Sequence, residues 1–347
     1  MRLLHFHSTS VVRPLTSAAG TWARTTAIDL LVDKFIASLV ATPGSSRRQI
    51  ISLGAGSDTR FFRLKQKYSN IPKDDLLYHE IDFPTNTATK IRQLESSSFV
   101  NLAQELCGVD LLFQNADLGP DCTTAISAGA PGYFIHSRDL RELTKSSKAL
   151  PWVETNVPTL LISECCLIYL SPTDADAVLK YFTEMFQSTT PLGIVIYEPI
   201  RPHDAFGRTM VANLTARGIH LQTLEANATL GMQKQRLKRF GFGAPKREDR
   251  DHGEDGVRAN TDKGGVGAID LDYMWSSWVD HKEKDRVTEL EWMDEVEEWV
   301  LLMKHYCVAW GWRDGSEKGE DGGRVFEGWK GVQSQQGEVE EKSIQRA

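Results

Sequence analysis

Gln49-Ile50-Ile51-Ser52-Leu53-Gly54-Ala55-Gly56-Ser57-Asp58-Thr59-Arg60 is the stretch that decides the fold. It opens as a short apolar run and breaks into two glycines one residue apart. Ser57, Asp58 and Thr59 then stand as helix caps before Phe61, Phe62 and Leu64. The pattern predicts a buried strand, a tight turn and a helix start. Glycine has no Cβ to hold a ligand away, so the turn leaves backbone open at the strand's carboxyl end. Ligands of open α/β sheets sit in that crevice.

Two glycines alone would equally suit a turn with no ligand. The second half of the signal is Leu76-Leu77-Tyr78-His79-Glu80-Ile81-Asp82, a further strand ending in an acid and followed by Phe83-Pro84. A carboxylate there can accept hydrogen bonds from ribose hydroxyls. Three more strands are expected at Tyr133–His136, Leu160–Ser163 and Gly193–Glu198, alternating with helices. Polar residues close each of them: Asp139, Glu164 and Glu198. Taken alone, Asp139 reads as a helix cap. Glu164 is embedded in the most apolar run of the chain, and burying it without a partner would cost several kcal/mol. A structural ion pair and a ligand cation both meet that need. No P-loop lysine follows the glycine turn, and Thr59 stands where a third glycine would complete G-x-G-x-x-G, so nucleoside triphosphate, NAD and FAD fit poorly. A ligand with a sulfonium, an ammonium, a ribose and an adenine suits several carboxylates, and S-adenosylmethionine is such a ligand.

Composition agrees with a globular protein. Of 347 residues, 41% are hydrophobic and 25% charged, with a net charge of -7 and no basic stripe, which argues against nucleic acid as a partner. No apolar run reaches the roughly 18 to 20 residues of a membrane span. Five cysteines without CxxC spacing suit free thiols in a reducing, cytoplasmic setting. His5 and His7 form an HxH with no acid or cysteine nearby, so no metal is expected.

Residues 1–20 read as an irregular segment, basic and free of acids; a transit peptide or a mis-assigned start would each give that composition. Thr25 to Val40 is expected to be an amphipathic helix, with Thr26 and Asp29 as a capping box. Gly108 to Gly132 reads as loops. Ser171-Pro172 should start a helix, and Thr229 another that Gly241 stops. Residues 241–268 read as a flexible surface insertion, Leu290 to Met303 as one helix, and His305–Trp310 as a late strand at an antiparallel edge. A single domain over 21–312 with a disordered polar tail over 313–347 completes the expectation.

From Thr21 to Trp310 the chain resembles the leucine carboxyl methyltransferases that act on the catalytic subunit of protein phosphatase 2A. The motifs are Thr21-Trp22-Ala23-Arg24, Leu53-Gly54-Ala55-Gly56-Ser57-Asp58-Thr59, Glu80-Ile81-Asp82-Phe83-Pro84, Asp139-Leu140-Arg141, Leu161-Ile162-Ser163-Glu164-Cys165, Tyr197-Glu198, Phe206-Gly207-Arg208-Thr209-Met210 and His305-Tyr306-Cys307, in that order. The resemblance implies a class I, Rossmann-like methyltransferase fold: a mostly parallel sheet, helices on both faces and added helical substrate-binding elements. It implies that Arg24 meets the carboxylate of S-adenosylmethionine, Gly54 lines its amino-acid end, Asp82 holds the ribose, Asp139 and Leu140 frame the adenine, and Glu164 faces the amino group. Tyr197, Glu198, Arg208 and His305 are candidates for the substrate end, with no role assigned. The implied reaction is methyl esterification of a C-terminal leucine by a monomeric fungal-type enzyme without a metal. The alternatives are a non-catalytic relative that binds the cofactor or the phosphatase, and a related O-methyltransferase acting on a small molecule or a tRNA base. The family pattern also implies a longer segment with a lysine before the arginine motif. The 23 residues before Arg24 do not match it, which implies a truncated or mis-assigned N-terminus.

Overall fold

A computed structural model describes residues 17–41, 47–69, 71, 75–107, 112–115, 122–127, 131–146, 149–243, 264–290, 296–315 and 325–335. The strands are β1 (Arg48–Leu53), β2 (Leu76–Asp82), β3 (Leu112–Asn115), β4 (Thr123–Ser127), β5 (Pro131–Ser137), β6 (Thr159–Glu164), β7 (Leu192–Pro199), β8 (Gly264–Asp270) and β9 (Tyr306–Arg313). They form one nine-stranded sheet in the order β3-β4-β5-β2-β1-β6-β7-β9-β8. The five strands expected before residue 200 are its parallel centre, with Ile51 of β1 opposite His79 of β2 and Leu161 of β6. This is the doubly wound arrangement expected of a class I methyltransferase. The strand order reverses beside β1, and in sheets of this kind ligands sit at the carboxyl ends of the strands at such a reversal.

The central strands are buried on both faces, which is why they read as continuous apolar runs rather than alternating ones. Helices α1 (Ser17–Ala41), α2 (Arg60–Lys67), α3 (Pro84–Leu94) and α4 (Ser97–Cys107) come first, followed by α5 (Leu140–Leu143), α6 (Pro172–Met185), α7 (Ala205–Ala216) and α8 (Leu230–Arg239). Helices α9 (Leu271–Ser277), α10 (His281–Leu290), α11 (Val296–Lys304) and α12 (Glu327–Lys330) complete the chain. One core gathers Ile28, Leu31, Phe35, Phe62, Met274, Trp299 and Trp329 against Ile50, Leu160 and Val195; the other gathers Leu143, Val178, Phe182 and Leu237 against Ile51, Leu161 and Ile194. Ser171 and Thr229 cap α6 and α8 through their hydroxyls, as expected.

Several expectations are corrected. Helix α1 begins at Ser17, within the segment read as irregular, so Thr26 and Asp29 lie in mid-helix and form no capping box. Asp29 instead faces Arg60 and Arg63 of α2. Residues 108–132 contain β3 and β4, short antiparallel strands of which β3 forms the exposed edge while residues 123–126 of β4 are buried between β3 and β5. Strand β9 is antiparallel, but it lies between β7 and β8 rather than at the edge. The strand that covers it begins inside the segment read as an insertion. Gly265 and Gly267 are opposite Trp312 and Trp310, and a Cβ on either would stand 2.2 Å from an indole carbon, so the glycines serve the packing of two tryptophans. Residues 244–263 lie outside the described residues, as do His5 and His7. Helix α10 ends at Leu290 and α11 begins at Val296, with 291–295 between them undescribed. The tail is not wholly free: Phe326 and Trp329 are buried, the indole N–H of Trp329 donates to the Leu31 carbonyl (2.9 Å), and Ser334 and Gln335 pair with Ala268 and Asp270 along β8.

Candidate functional site

Gly54 and Gly56 both adopt left-handed backbone, with φ of +63° and +52°. A Cβ on Gly54 would meet Cys166 Sγ at 2.5 Å, while one on Gly56 would meet nothing within 4 Å. The first glycine therefore answers to a neighbour, and the second faces open space. The turn is tied to β2: Gly54 and Ala55 donate to the Ile81 carbonyl, and Gly56 N–H donates to Asp82 Oδ2 (2.6 Å).

Asp82 holds this turn as well as facing the crevice. Its Oδ1 accepts from Phe83 N–H (2.7 Å) and from Asn86 Nδ2 (2.8 Å). A carboxylate offers about four lone-pair directions, so three are filled and, among the described residues, one on Oδ2 is open to a further donor. Accepting two would require the Asn86 amide to move. Asp139 acts as the N-cap of α5, accepting from Arg141 N–H (2.9 Å), and its other oxygen takes the Arg141 guanidinium (2.6 Å). That pairing, with the cap bond, holds the Asp139 carboxyl below the usual carboxylate range. Leu140 beside it is buried, and exposed Phe83 lies under Arg141, 5.9 Å from guanidinium carbon to ring centre.

Glu164 at the end of β6 is only partly buried, and it has two cationic partners: Arg24 Nε of α1 at 2.8 Å and Arg60 Nη2 of α2 at 2.7 Å. The next residue, Cys165, turns the chain with a φ of +48°. Such a conformation in a residue other than glycine is strained, and strain of this kind gathers at functional sites. Arg60 also reaches Asp29 (Nε, 3.1 Å) and Asp58 (Nη1, 3.2 Å). Asp58 is buried, which by itself would raise its pKa, but the charges of Arg60 and Lys90 and the Tyr78 hydroxyl (2.6 Å) hold it well below the usual range. Under it, burial raises Glu80 to about 7 although Lys90 pairs with it and Tyr133 donates to it (2.8 Å).

The substrate-end candidates separate. Tyr197 stacks on Tyr306 with ring centres 5.4 Å apart, and the Arg24 guanidinium lies 5.9 Å from the Tyr197 ring centre. Burial raises both phenols, Tyr306 to about 12, so both are neutral hydroxyls at ordinary pH. Glu198 does not join them. It is fully buried on the opposite face, paired with Arg236 (2.9 Å) and Gln233 (3.2 Å) of α8. Arg208 is exposed in the first turn of α7, bonded to the His203 carbonyl. His305 is buried, with Nε2 2.9 Å from Asp204, the N-cap of α7, and Nδ1 2.7 Å from the Leu301 carbonyl. It fixes α7 to the start of β9.

Arg60, Asn86, Phe83 and Cys166 were not picked out from the sequence. One signal was available for Arg60: a basic residue in the first turn of a helix opposes the helix dipole, so its presence there calls for a buried partner. Among the described residues, no group of three or more His, Cys, Asp or Glu side chains is placed to hold a metal ion. No helix among them is long and apolar enough to cross a membrane.

Residues 7–183 match the family model described as "Leucine carboxyl methyltransferase". Leucine carboxyl methyltransferase 1 of Aspergillus fumigatus is 46% identical, over 92% of this chain and 77% of its own. The protein of the same name from Schizosaccharomyces pombe is 36% identical, over 84% and 79%, and the homolog from Arabidopsis thaliana is 32% identical, over 85% and 76%. With identity of this order sustained over most of both chains, and with the glycine turn and strand-end acids in place, the chain belongs to the leucine carboxyl methyltransferase family.

Proposed function

We propose that this chain transfers the methyl group of S-adenosylmethionine to the α-carboxylate of a C-terminal leucine, giving a methyl ester, and that the leucine is the last residue of the protein phosphatase 2A catalytic subunit. The observation that carries the reading is the row of charges along the crevice: Arg24 and Glu164 as a cation and an anion 2.8 Å apart, beside an open glycine turn and Asp82 with one acceptor direction left. An amino-acid zwitterion joined to a nucleoside has matching groups. The residues present thus fit the cofactor. Arg24 would take its carboxylate, Glu164 its ammonium and Asp82 a ribose hydroxyl, while Leu140 and Phe83 flank the adenine and Asp139 receives its amine.

The cofactor supplies a methyl group on a positively charged sulfur. The accepting carboxylate is ionised at pH 7 and needs no general base, so the protein's part is to position it in line and exclude water. The neutral hydroxyls of Tyr197 and Tyr306, beside Arg24, suit hydrogen bonding to an arriving carboxylate. Glu198, buried against α8, has a structural part only. We place the reaction in the cytosol and the enzyme as a monomer.

The test is incubation with methyl-labelled cofactor and purified phosphatase catalytic subunit. Base-labile label on the C-terminal leucine, lost when that leucine is deleted, is expected. Cofactor binding without an ester would mark a non-catalytic binder, and a base-stable label would point to another acceptor.

A further inference from the structure

The two cations that meet Glu164 differ in kind. The Arg60 side chain is 5% exposed and its three nitrogens each hold a different carboxylate: Nε on Asp29, Nη1 on Asp58 and Nη2 on Glu164. Moving it would take a cation from three partly or fully buried carboxylates at once, which is expensive. The Arg24 side chain is 34% exposed, meets Glu164 through Nε, and has the face of Tyr197 as its other neighbour. Among the described residues Glu164 is the one carboxylate that it meets, so it can leave Glu164 without uncovering a second charge there.

We infer that Arg60 is the fixed counter-ion of Glu164 and Arg24 the exchangeable one, so that an α-amino-acid zwitterion enters this site by replacing the Arg24–Glu164 ion pair while the Arg60–Glu164 pair stays. Ligand carboxylate takes Arg24, and ligand ammonium takes the Glu164 oxygen that Arg24 releases. The exchange trades one ion pair for two, and Glu164 is never left without a cation. Because Arg60 also carries Asp29 of α1 and Asp58 of the glycine turn, the same side chain fixes the helix that bears Arg24 to the turn that faces the ligand. Arg60 is thus a positioning residue. Asp33 of α1, one turn on, reaches Lys67 (2.6 Å) and Tyr68 (3.0 Å) and repeats the tie between α1 and α2 away from the site.

The inference rests on the reading of this crevice as an S-adenosylmethionine site, and the experiment separates the two. S-adenosylhomocysteine carries the zwitterion; 5′-methylthioadenosine keeps the nucleoside and sulfur without it. Both are titrated calorimetrically into the full chain and into Arg60→Gln. That variant should fold, since each acid keeps another partner: Arg63 for Asp29, Tyr78 for Asp58 and Arg24 for Glu164. Expected is a loss of about 30-fold in affinity for S-adenosylhomocysteine, the worth of one charged hydrogen-bonding partner, with methylthioadenosine changed less than about threefold. Arg60→Lys, one point charge among three acids, should fall between and follow the same split; it decides the matter by the same comparison if Arg60→Gln does not fold. Equal losses for both ligands would make Arg60 merely structural and overturn the inference, as would no loss for either. Failure of the unaltered chain to bind either ligand would overturn the functional reading itself, and the inference with it.

Discussion

Gly54→Ala and Gly56→Ala put the same methyl on two residues of one turn, and the structure sets different costs for them. Both residues have positive φ, +63° and +52°, where an L side chain costs about 1–2 kcal/mol. At Gly56 nothing lies within 4 Å of the added carbon, so that is the whole expected cost to stability. At Gly54 the carbon would stand 2.5 Å from Cys166 Sγ and 2.8 Å from its Cβ. Cys166 is pinned between β6 and the helical turn at Leu167–Tyr169, so it cannot simply step aside. Overpacking of this kind adds about 1–3 kcal/mol. Gly54→Ala should therefore lose about 2–5 kcal/mol in urea unfolding, with an unchanged m-value. Adding Cys166→Gly removes the obstructing atoms and should return the steric part, seen as a favourable coupling of about 1–3 kcal/mol in the double-mutant cycle. The ordering reverses for ligand: Gly56→Ala places its methyl in the open crevice and should weaken S-adenosylhomocysteine binding more than it weakens the fold. Equal destabilisation by the two alanines, or no coupling to Cys166, would refute this account of the turn.

Glu198→Gln leaves the Arg236 guanidinium buried without its counter-ion and should cost about 3–5 kcal/mol in urea unfolding, while affinity for S-adenosylhomocysteine changes less than about twofold; a large loss of affinity would return Glu198 to the site. Trp329→Ala empties a buried indole site between α12 and α1 and breaks the bond to the Leu31 carbonyl, for about 3–5 kcal/mol. An unchanged unfolding midpoint would show that the segment 325–335 lies outside the cooperative core. His79 and His136, 3.0 Å apart, are buried, and burial lowers both, His136 to about 3 with Arg138 adding to the effect. In the unfolded chain they take protons near 6.5 and in the fold they do not, so their contribution to stability is present above pH 6.5 and is lost as pH falls toward 3, by about 1.4 kcal/mol per ring per pH unit at most. Glu80, raised to about 7, opposes this over part of the range because its folded form gains the proton first. Two histidine ring signals that stay neutral from pH 8 to 5 by NMR are expected; titration of every ring near 6.5 would contradict the buried pair.

The parallel centre of the sheet was legible because burial on both faces leaves an unmistakable apolar run, ending at a glycine turn in β1 and at an acid in β2 and β6. The edges were not legible. Strands β3 and β4 are short and rich in polar residues, and three of the seven residues of β8 are glycine, a composition set by the tryptophans of β9 rather than by strand propensity. The segment with Phe326 and Trp329 is eleven described residues in a polar tail, and nothing local to it records that Gly193 of β7 leaves room beneath its rings. Partners at long range were equally hidden: Glu164 announced that it needed a cation, but Arg60 lies 104 residues away in sequence.

The misplacement of Glu198 has a single physical cause. A strand turns alternate side chains to opposite faces, and a one-residue step reverses the face. Glu164 pairs in register with Tyr197, so the residue of β7 that shares the crevice face with Glu164 is the tyrosine, and the glutamate after it points beneath α8. From sequence, Asp82, Glu164 and Glu198 all stand at strand exits and look alike. The apolar residues on either side cannot distinguish them, because both faces of the central strands are apolar. What could distinguish them is the partner each acid finds: Glu164 meets one sealed and one accessible arginine, whereas the Arg236 side chain that meets Glu198 is 1% exposed. An acid whose every cation is sealed has nothing to exchange with a ligand. That criterion, more than position at a strand end, separates the carboxylate proposed to meet the ligand from the one sealed against α8 in this sheet.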